Sequence, residues 1–123
     1  TLALHVLSMI AQVRPNELTD WLAQARTASG TEPVVLDVRE PWELQTASVQ
    51  PDGFTLVHIP MGVLPVRLGE LDPDRPVACL CHHGGRSMQV AAFLAHHGFA
   101  QVANIAGGIH AWALERDPSV PCY

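Results

Sequence analysis

The chain has 123 residues, of which 48% are apolar, and its formal net charge is −5. That length suits one domain with a real hydrophobic core, and the apolar fraction excludes a disordered chain. The acidic balance, with no cluster of basic residues, argues against a nucleic-acid or membrane partner.

The number of cysteines and the composition of residues 1–13 indicate the cellular compartment. Three cysteines, an odd number, argue against a disulfide scaffold and favour a reducing compartment, so we expect a cytoplasmic protein. No apolar stretch approaches the roughly 18 residues of a membrane span. Residues 1–13 are apolar but lack the positive flank of a signal peptide. Met9 is a plausible start, so we interpret 1–8 as an extension and 9–123 as a single domain.

Strand patterns alternate with helix patterns along the chain. Pro15 suits the first turn of a helix, and Gly30 ends it. Strands are predicted at 10–13, 34–38, 56–59, 77–80 and 102–105. Helices are predicted at 15–29, 41–44, 62–68, 88–97 and 109–116. This alternation predicts an α/β domain with a parallel sheet that is covered on both faces.

Three polar or glycine-rich segments follow predicted strands. They are residues 37–40, Cys81 with the loop after it, and residues 106–108. Ligands bind outside the carboxyl ends of the strands of such sheets. The three segments are therefore expected to converge on one edge and form a site.

The segment 81–87, Cys-His-His-Gly-Gly-Arg-Ser, carries the clearest chemistry. It joins a buried strand to a helix, and the free N–H groups and positive dipole end of a helix start favour an anion in such a loop. Gly84 and Gly85 allow the backbone to close around the anion, and Arg86 adds a full positive charge. The Cys81 thiolate would be the nucleophile, since the thiolate is the reactive form of cysteine.

Four segments resemble motifs of rhodanese-like sulfurtransferase domains, in the order in which that family has them. They are residues 37–43, residues 58–60, residues 81–87, and Gly107-Gly108 with Trp112. The resemblance covers essentially the whole domain. It implies a three-layer fold with a short, mainly parallel five-stranded sheet and helices on both faces.

The resemblance also implies an activity. Cys81 would accept the sulfane sulfur of thiosulfate or a low-molecular-weight persulfide, and would pass it to a thiol, a protein cysteine or cyanide. No metal or organic cofactor is implied. The resemblance assigns binding of the transferred sulfur to the rest of the loop: His82, His83, Gly84, Gly85, Arg86 and Ser87.

The loop length distinguishes two chemistries known for this architecture. From Cys81 to Arg86 the loop has six residues, as in the sulfur-transferring members, whereas the related phosphatases carry one more. The count favours sulfur over phosphate. Many members of the family have Arg where this chain has His82, which removes a permanent charge that could hold an anionic donor. The replacement disfavours thiosulfate as the donor and predicts an activity that depends on pH.

Supporting roles are predicted for Asp37, Arg39 and Glu40, which follow a strand at the same edge. A carboxylate from this group is expected to pair with Arg86 and hold the loop in shape. Which carboxylate does so stays open at this point.

Two other interpretations concern the same cysteines. Cys79 and Cys81 with His82 and His83 are zinc-ligand types, but their spacing does not match a zinc motif, so no metal is expected. Cys79 is interpreted as a core residue. The alternative function is a non-catalytic redox-sensing or protein-interaction module that uses Cys81, because accessible thiolates are also readily oxidised.

Overall fold

Five parallel strands form the sheet of this computed structural model, which describes residues 10–123. The interpreted extension 1–8 and the proposed start at Met9 lie outside the described residues. The strand order is β1-β5-β4-β2-β3, and every pairing is parallel. The strands are β1 (Ala11–Val13), β2 (Val34–Asp37), β3 (Thr55–His58), β4 (Val77–Leu80) and β5 (Val102–Ile105).

The three central strands are completely buried. All four residues of β2, β4 and β5 are buried, as their continuous apolar sequences predict for a parallel sheet covered on both faces. In the register of the sheet, Cys79 of β4 lies between Leu36 of β2 and Asn104 of β5. The carboxyl ends of the three strands therefore lie side by side, and the segments that follow them share one edge.

Helices cover both faces of the sheet. One apolar cluster packs α3 and α4 on one face, and a second packs α1 and α5 on the other, which confirms the predicted three-layer α/β fold. The helices are α1 (Leu18–Ser29), α2 (Pro41–Thr46), α3 (Leu64–Arg67), α4 (Gly85–His96) and α5 (Gly108–Glu115). Single 3₁₀ turns lie at Pro15–Glu17, Met61–Val63 and Leu68–Glu70. Among residues 10–123 no helix is both long and apolar enough to cross a bilayer.

The predicted start of α4, the helix that follows Cys81, was wrong by one turn. Apolar periodicity predicted a helix from Met88, but α4 begins at Gly85. Gly84 takes the position before the helix with φ of 108°, a left-handed backbone that glycine adopts without strain. The first turn of α4 is therefore part of the loop that follows Cys81. The segment 62–68, predicted as one helix, consists of a 3₁₀ turn, the four-residue α3 and a further 3₁₀ turn.

The amino end of α5 is hydrogen-bonded to the beginning of the loop that follows Cys81. The N–H of Ile109 donates to the carbonyl oxygen of Cys81 at 2.8 Å, and the N–H of His110 donates to that of His82 at 3.2 Å. Gly108 has φ of 60°, and a Cβ built on it would lie 2.5 Å from the Cys81 carbonyl oxygen. Only glycine lets α5 approach the loop this closely.

We expect Gly108→Ala to lower the free energy of unfolding by about 2–4 kcal/mol, because it adds a steric clash to an unfavourable backbone conformation. Urea unfolding followed by circular dichroism would measure this loss. Gly69→Ala is the matched control, since a Cβ there meets nothing within 4 Å and the residue lacks a positive φ. A loss at Gly108 no larger than at Gly69 would contradict the role given to this contact.

Candidate active site

Cys81 lies at the carboxyl end of β4, where its side chain is the floor of the loop. The residue is 1% exposed. The N–H of Gly84 donates to Sγ at 3.1 Å and the N–H of Ser87 at 3.3 Å, while the Ser87 hydroxyl lies 3.2 Å from Sγ. Two converging N–H groups at a helix start favour a negatively charged sulfur. This geometry suits a thiolate nucleophile.

The two glycines of the loop differ in what they contribute. A Cβ on Gly84 would lie 3.2 Å from the backbone N of Gly107, so Gly84 allows the loop to pack against the turn after β5. A Cβ on Gly85 would meet nothing within 4 Å. The left-handed backbone of Gly84, with φ of 108°, requires glycine there, whereas position 85 has room for a side chain.

Arg86 closes the loop through a two-pronged ion pair with Glu43 of α2. Its Nη1 and Nη2 lie 2.7 and 2.8 Å from the two carboxylate oxygens. These hydrogen bonds are the main cause that lowers the pKa of the Glu43 carboxyl from 4.5 to about 2. The same bonds raise the pKa of Arg86, so both charges persist at neutral pH. The pair ties the start of α4 to α2.

The expected partner of Arg86 was therefore wrong. The sequence analysis placed it among Asp37, Arg39 and Glu40, whereas the carboxylate is Glu43, one helical turn after Glu40. Pro41 starts α2 at this point, and Glu43 is buried within its first turn. Glu40 is exposed, and its N–H donates to Glu43 Oε2 at 2.8 Å. A glutamate three residues into a helix that begins with proline is the signal that could have identified it.

Asp37 and Arg39 form a second, fully buried ion pair. Arg39 donates from Nε to Asp37 Oδ1 at 3.0 Å and from Nη2 to Oδ2 at 2.7 Å. Arg39 Nη1 donates to the Tyr123 hydroxyl at 3.0 Å, and that hydroxyl donates to Glu43 Oε1 at 3.0 Å. The buried pair thus reaches the loop indirectly, through Tyr123 and Glu43. Tyr123 is a residue that the sequence analysis did not identify, and no local pattern marks it.

His82 and His83 lie beside the loop in an aromatic stack. The His82 ring stacks on Tyr123 with a centroid distance of 3.9 Å and on His83 at 3.9 Å, and its Nε2 donates to the Tyr123 main-chain oxygen. His110 of α5 lies 5.2 Å from the His83 ring. Desolvation is the first cause that lowers the pKa of His83, and its neighbours His82, His110 and Arg86 lower it further. His83 therefore stays neutral further into the acid range than an isolated histidine.

The other two cysteines lie outside the loop. Cys79 is completely buried within β4, and burial, with Cys81 nearby as a second cause, raises the pKa of its thiol. It belongs to the core, as predicted. Cys122 is exposed, and all three cysteines are free thiols. Over residues 10–123 no three His, Cys, Asp or Glu side chains are arranged to hold a metal ion.

The Glu43–Arg86 pair predicts how stability depends on pH. The native pKa of Glu43 lies below the unfolded value, so its contribution is complete above the unfolded pKa and is lost as the pH falls toward the native one. Between about pH 6 and about pH 3 we expect the unfolding free energy to fall by about 2 kcal/mol more in the wild type than in Glu43→Gln.

Urea unfolding at the two pH values measures this difference. Glu70→Gln is the matched control, because Glu70 makes a similar two-pronged pair with Arg67 but on the exposed surface. Its dependence on pH should match that of the wild type, because water and salt screen an exposed pair. Equal pH dependence in Glu43→Gln and the wild type would show that this pair does not stabilise the fold.

Comparison with known proteins places this site in a family. A family model described as "Rhodanese-like domain" matches residues 15–115. A "Sulfurtransferase" of Allochromatium vinosum is 35% identical over 85% of this chain and 94% of its own length. The "Rhodanese-like/PpiC domain-containing protein 12, chloroplastic" of Arabidopsis thaliana is 37% identical over 98% of this chain, which spans only 42% of that relative.

A solved structure gives the same result at the level of the fold. The rhodanese-related protein of Thermoplasma volcanium superposes with a TM-score of 0.70 and 28% identity, and the match covers 92% of this chain and 99% of that one. The fold, the loop after β4 and these matches lead to one conclusion: the chain belongs to the rhodanese-like domain family.

Proposed function

We propose that this chain is a sulfurtransferase that carries a persulfide on Cys81. The observation that carries the proposal is the position of Sγ, which receives the N–H groups of Gly84 and Ser87 on the floor of a six-residue loop. Such a loop stabilises an anionic sulfur by hydrogen bonds. The name of the Allochromatium relative, a sulfurtransferase, supports the same activity.

In the first half-reaction the Cys81 thiolate attacks the outer sulfur of the donor. With thiosulfate, a bond forms between Sγ and that sulfur, the donor's S–S bond breaks, and sulfite leaves with the electron pair. With a low-molecular-weight persulfide, the leaving group is the thiolate of the small molecule. The added sulfur would lie inside the loop, where backbone N–H groups and the charge of Arg86 offset its negative charge.

In the second half-reaction an acceptor attacks the outer sulfur of the persulfide. A thiolate acceptor becomes a persulfide and cyanide becomes thiocyanate, while the electron pair of the broken S–S bond returns to Cys81 as its thiolate. Two displacements thus replace one direct transfer, and neither requires an oxidant, a metal or an organic cofactor. Because Cys81 is 1% exposed, the acceptor is a slender group, such as a small thiol or a cysteine on a protruding segment.

The charges around the loop distinguish the donors in this proposal. Arg86 supplies the permanent positive charge beside Cys81, and Glu43 neutralises much of it. His82 is engaged with Tyr123, so it does not replace the arginine that many family members carry there. We therefore favour a persulfide over the doubly charged thiosulfate as the donor. Three free cysteines fit the reducing cytoplasm that we expect as the location.

We expect incubation with glutathione persulfide to add one sulfur, about 32 Da, to the wild type, and cyanide to remove it again. Intact-mass spectrometry would measure both changes. Cys81→Ser should gain no cyanide-labile sulfur, because the nucleophile is absent. Cys122→Ser is the matched control, since it removes an exposed thiol outside the loop and should gain sulfur like the wild type.

Cyanide-labile sulfur on Cys81→Ser would contradict the assignment of the nucleophile. A wild-type protein that forms only a sulfenate or disulfide, with no transfer to an acceptor thiol, would favour the redox-sensing alternative.

We expect Arg86→Ala to slow sulfur transfer about 10- to 100-fold, because the loop loses both a positive charge and its link to Glu43. The rate of thiocyanate formation in the presence of cyanide would measure this loss. Arg67→Ala is the control, since it breaks a comparable pair with Glu70 away from the loop. An unchanged rate in Arg86→Ala would show that Arg86 does not assist the transfer.

A further inference from the structure

Asn104 of β5 is joined to the reacting sulfur through a single hydroxyl group. The Ser87 hydroxyl lies 2.6 Å from Asn104 Oδ1 and 3.2 Å from Cys81 Sγ. Ser87 and Asn104 are both buried, so solvent does not compete strongly for these hydrogen bonds. A hydroxyl has one proton to donate, so Asn104 and Cys81 compete for it.

The orientation of the Asn104 amide decides this competition. Its Nδ2 lies 3.3 Å from the carbonyl oxygen of Gly84 and 3.0 Å from Gln12 Oε1. A backbone carbonyl can only accept, so Nδ2 faces Gly84 and Oδ1 faces Ser87. A flipped amide would set two oxygens against each other at Gly84. The hydroxyl of Ser87 therefore donates its proton to Asn104.

Cys81 consequently meets the oxygen lone pair of Ser87 rather than its proton. A protonated thiol satisfies this arrangement, because its S–H donates to Ser87 Oγ. A thiolate receives the Ser87 proton only if the hydroxyl turns away from Asn104 Oδ1, which costs that 2.6 Å hydrogen bond, whereas the N–H groups of Gly84 and Ser87 donate to it without any change. The Asn104–Ser87 hydrogen bond therefore opposes the stabilisation of the thiolate that the two N–H groups provide.

We propose that Asn104 is a positioning residue that holds the Ser87 hydroxyl proton away from Cys81 and thereby restrains the ionisation of the thiol. A thiol that ionises less readily gives a more nucleophilic thiolate and is less exposed to oxidation while the site is empty. The inference rests on the proposed function only in taking Cys81 as the reacting thiol.

The test is a titration of the Cys81 thiolate by its ultraviolet absorbance, in the reduced protein, with Cys81→Ser as the baseline and Cys122→Ser as the common background. We expect Asn104→Leu to lower the midpoint by about one pH unit, because the freed Ser87 hydroxyl turns and donates to the thiolate. Asn104→Ala, which adds no bulk at this buried position, should lower it by a similar amount.

A double-mutant cycle separates positioning from a general structural effect. In a Ser87→Ala background, Asn104→Leu should leave the midpoint unchanged, because there is no hydroxyl to release. Gln12→Ala is the matched control: it removes the other partner of Asn104 Nδ2 but leaves the Gly84 carbonyl in place, so the midpoint should stay at the wild-type value.

Three results would overturn the proposal. They are an unchanged midpoint in both Asn104 variants, an equal shift with and without the Ser87 hydroxyl, and a shift in Gln12→Ala as large as in Asn104→Leu. The titration uses no sulfur donor, so it can fail while sulfur transfer succeeds, and the two proposals are tested separately.

Discussion

The site depends on the two carbonyl oxygens that follow β4, those of Cys81 and His82. Both accept hydrogen bonds from the first N–H groups of α5, so the loop is anchored to a helix from a distant part of the chain. The two carbonyl groups therefore face α5, whereas the N–H groups of Gly84 and Ser87 face Sγ. Gly108 makes the close approach possible, and for that reason a glycine far from Cys81 in sequence shapes its surroundings.

A chain of hydrogen bonds connects the charged side chains beside the loop. The buried pair of Asp37 and Arg39 contacts Tyr123, whose hydroxyl donates to Glu43, and Glu43 holds Arg86 at the end of the loop. Burying an ion pair costs desolvation energy that only well-aligned hydrogen bonds offset. These bonds fix directions as well as charges, so they hold Arg86 in one position at the end of the loop.

Much of this protein could be predicted from its sequence, because the signals are local. Continuous apolar runs identify β2 and β4 as buried strands. A glycine-containing loop and then a helical pattern follow β4, so Cys81 is predicted to lie between a strand and the start of a helix. The carboxyl ends of parallel strands lie at one edge of the sheet. The sequence alone therefore places Cys81, the segment after Asp37 and the turn at Gly107 together at that edge. The loop length favours sulfur chemistry for the same reason, since it is a count along the chain.

Only the tertiary structure decided which side chains meet at that edge. Glu43 rather than Glu40 reaches Arg86, because the first turn of α2 rotates Glu43 inward, and helix rotation depends on packing. Tyr123 and Asn104 join the site from distant segments, through contacts that carry no sequence pattern. Residue types and spacing along the chain therefore determined the candidate nucleophile and the loop around it. Hydrogen-bond partners and directions, which require positions in space, were decided only by the tertiary structure.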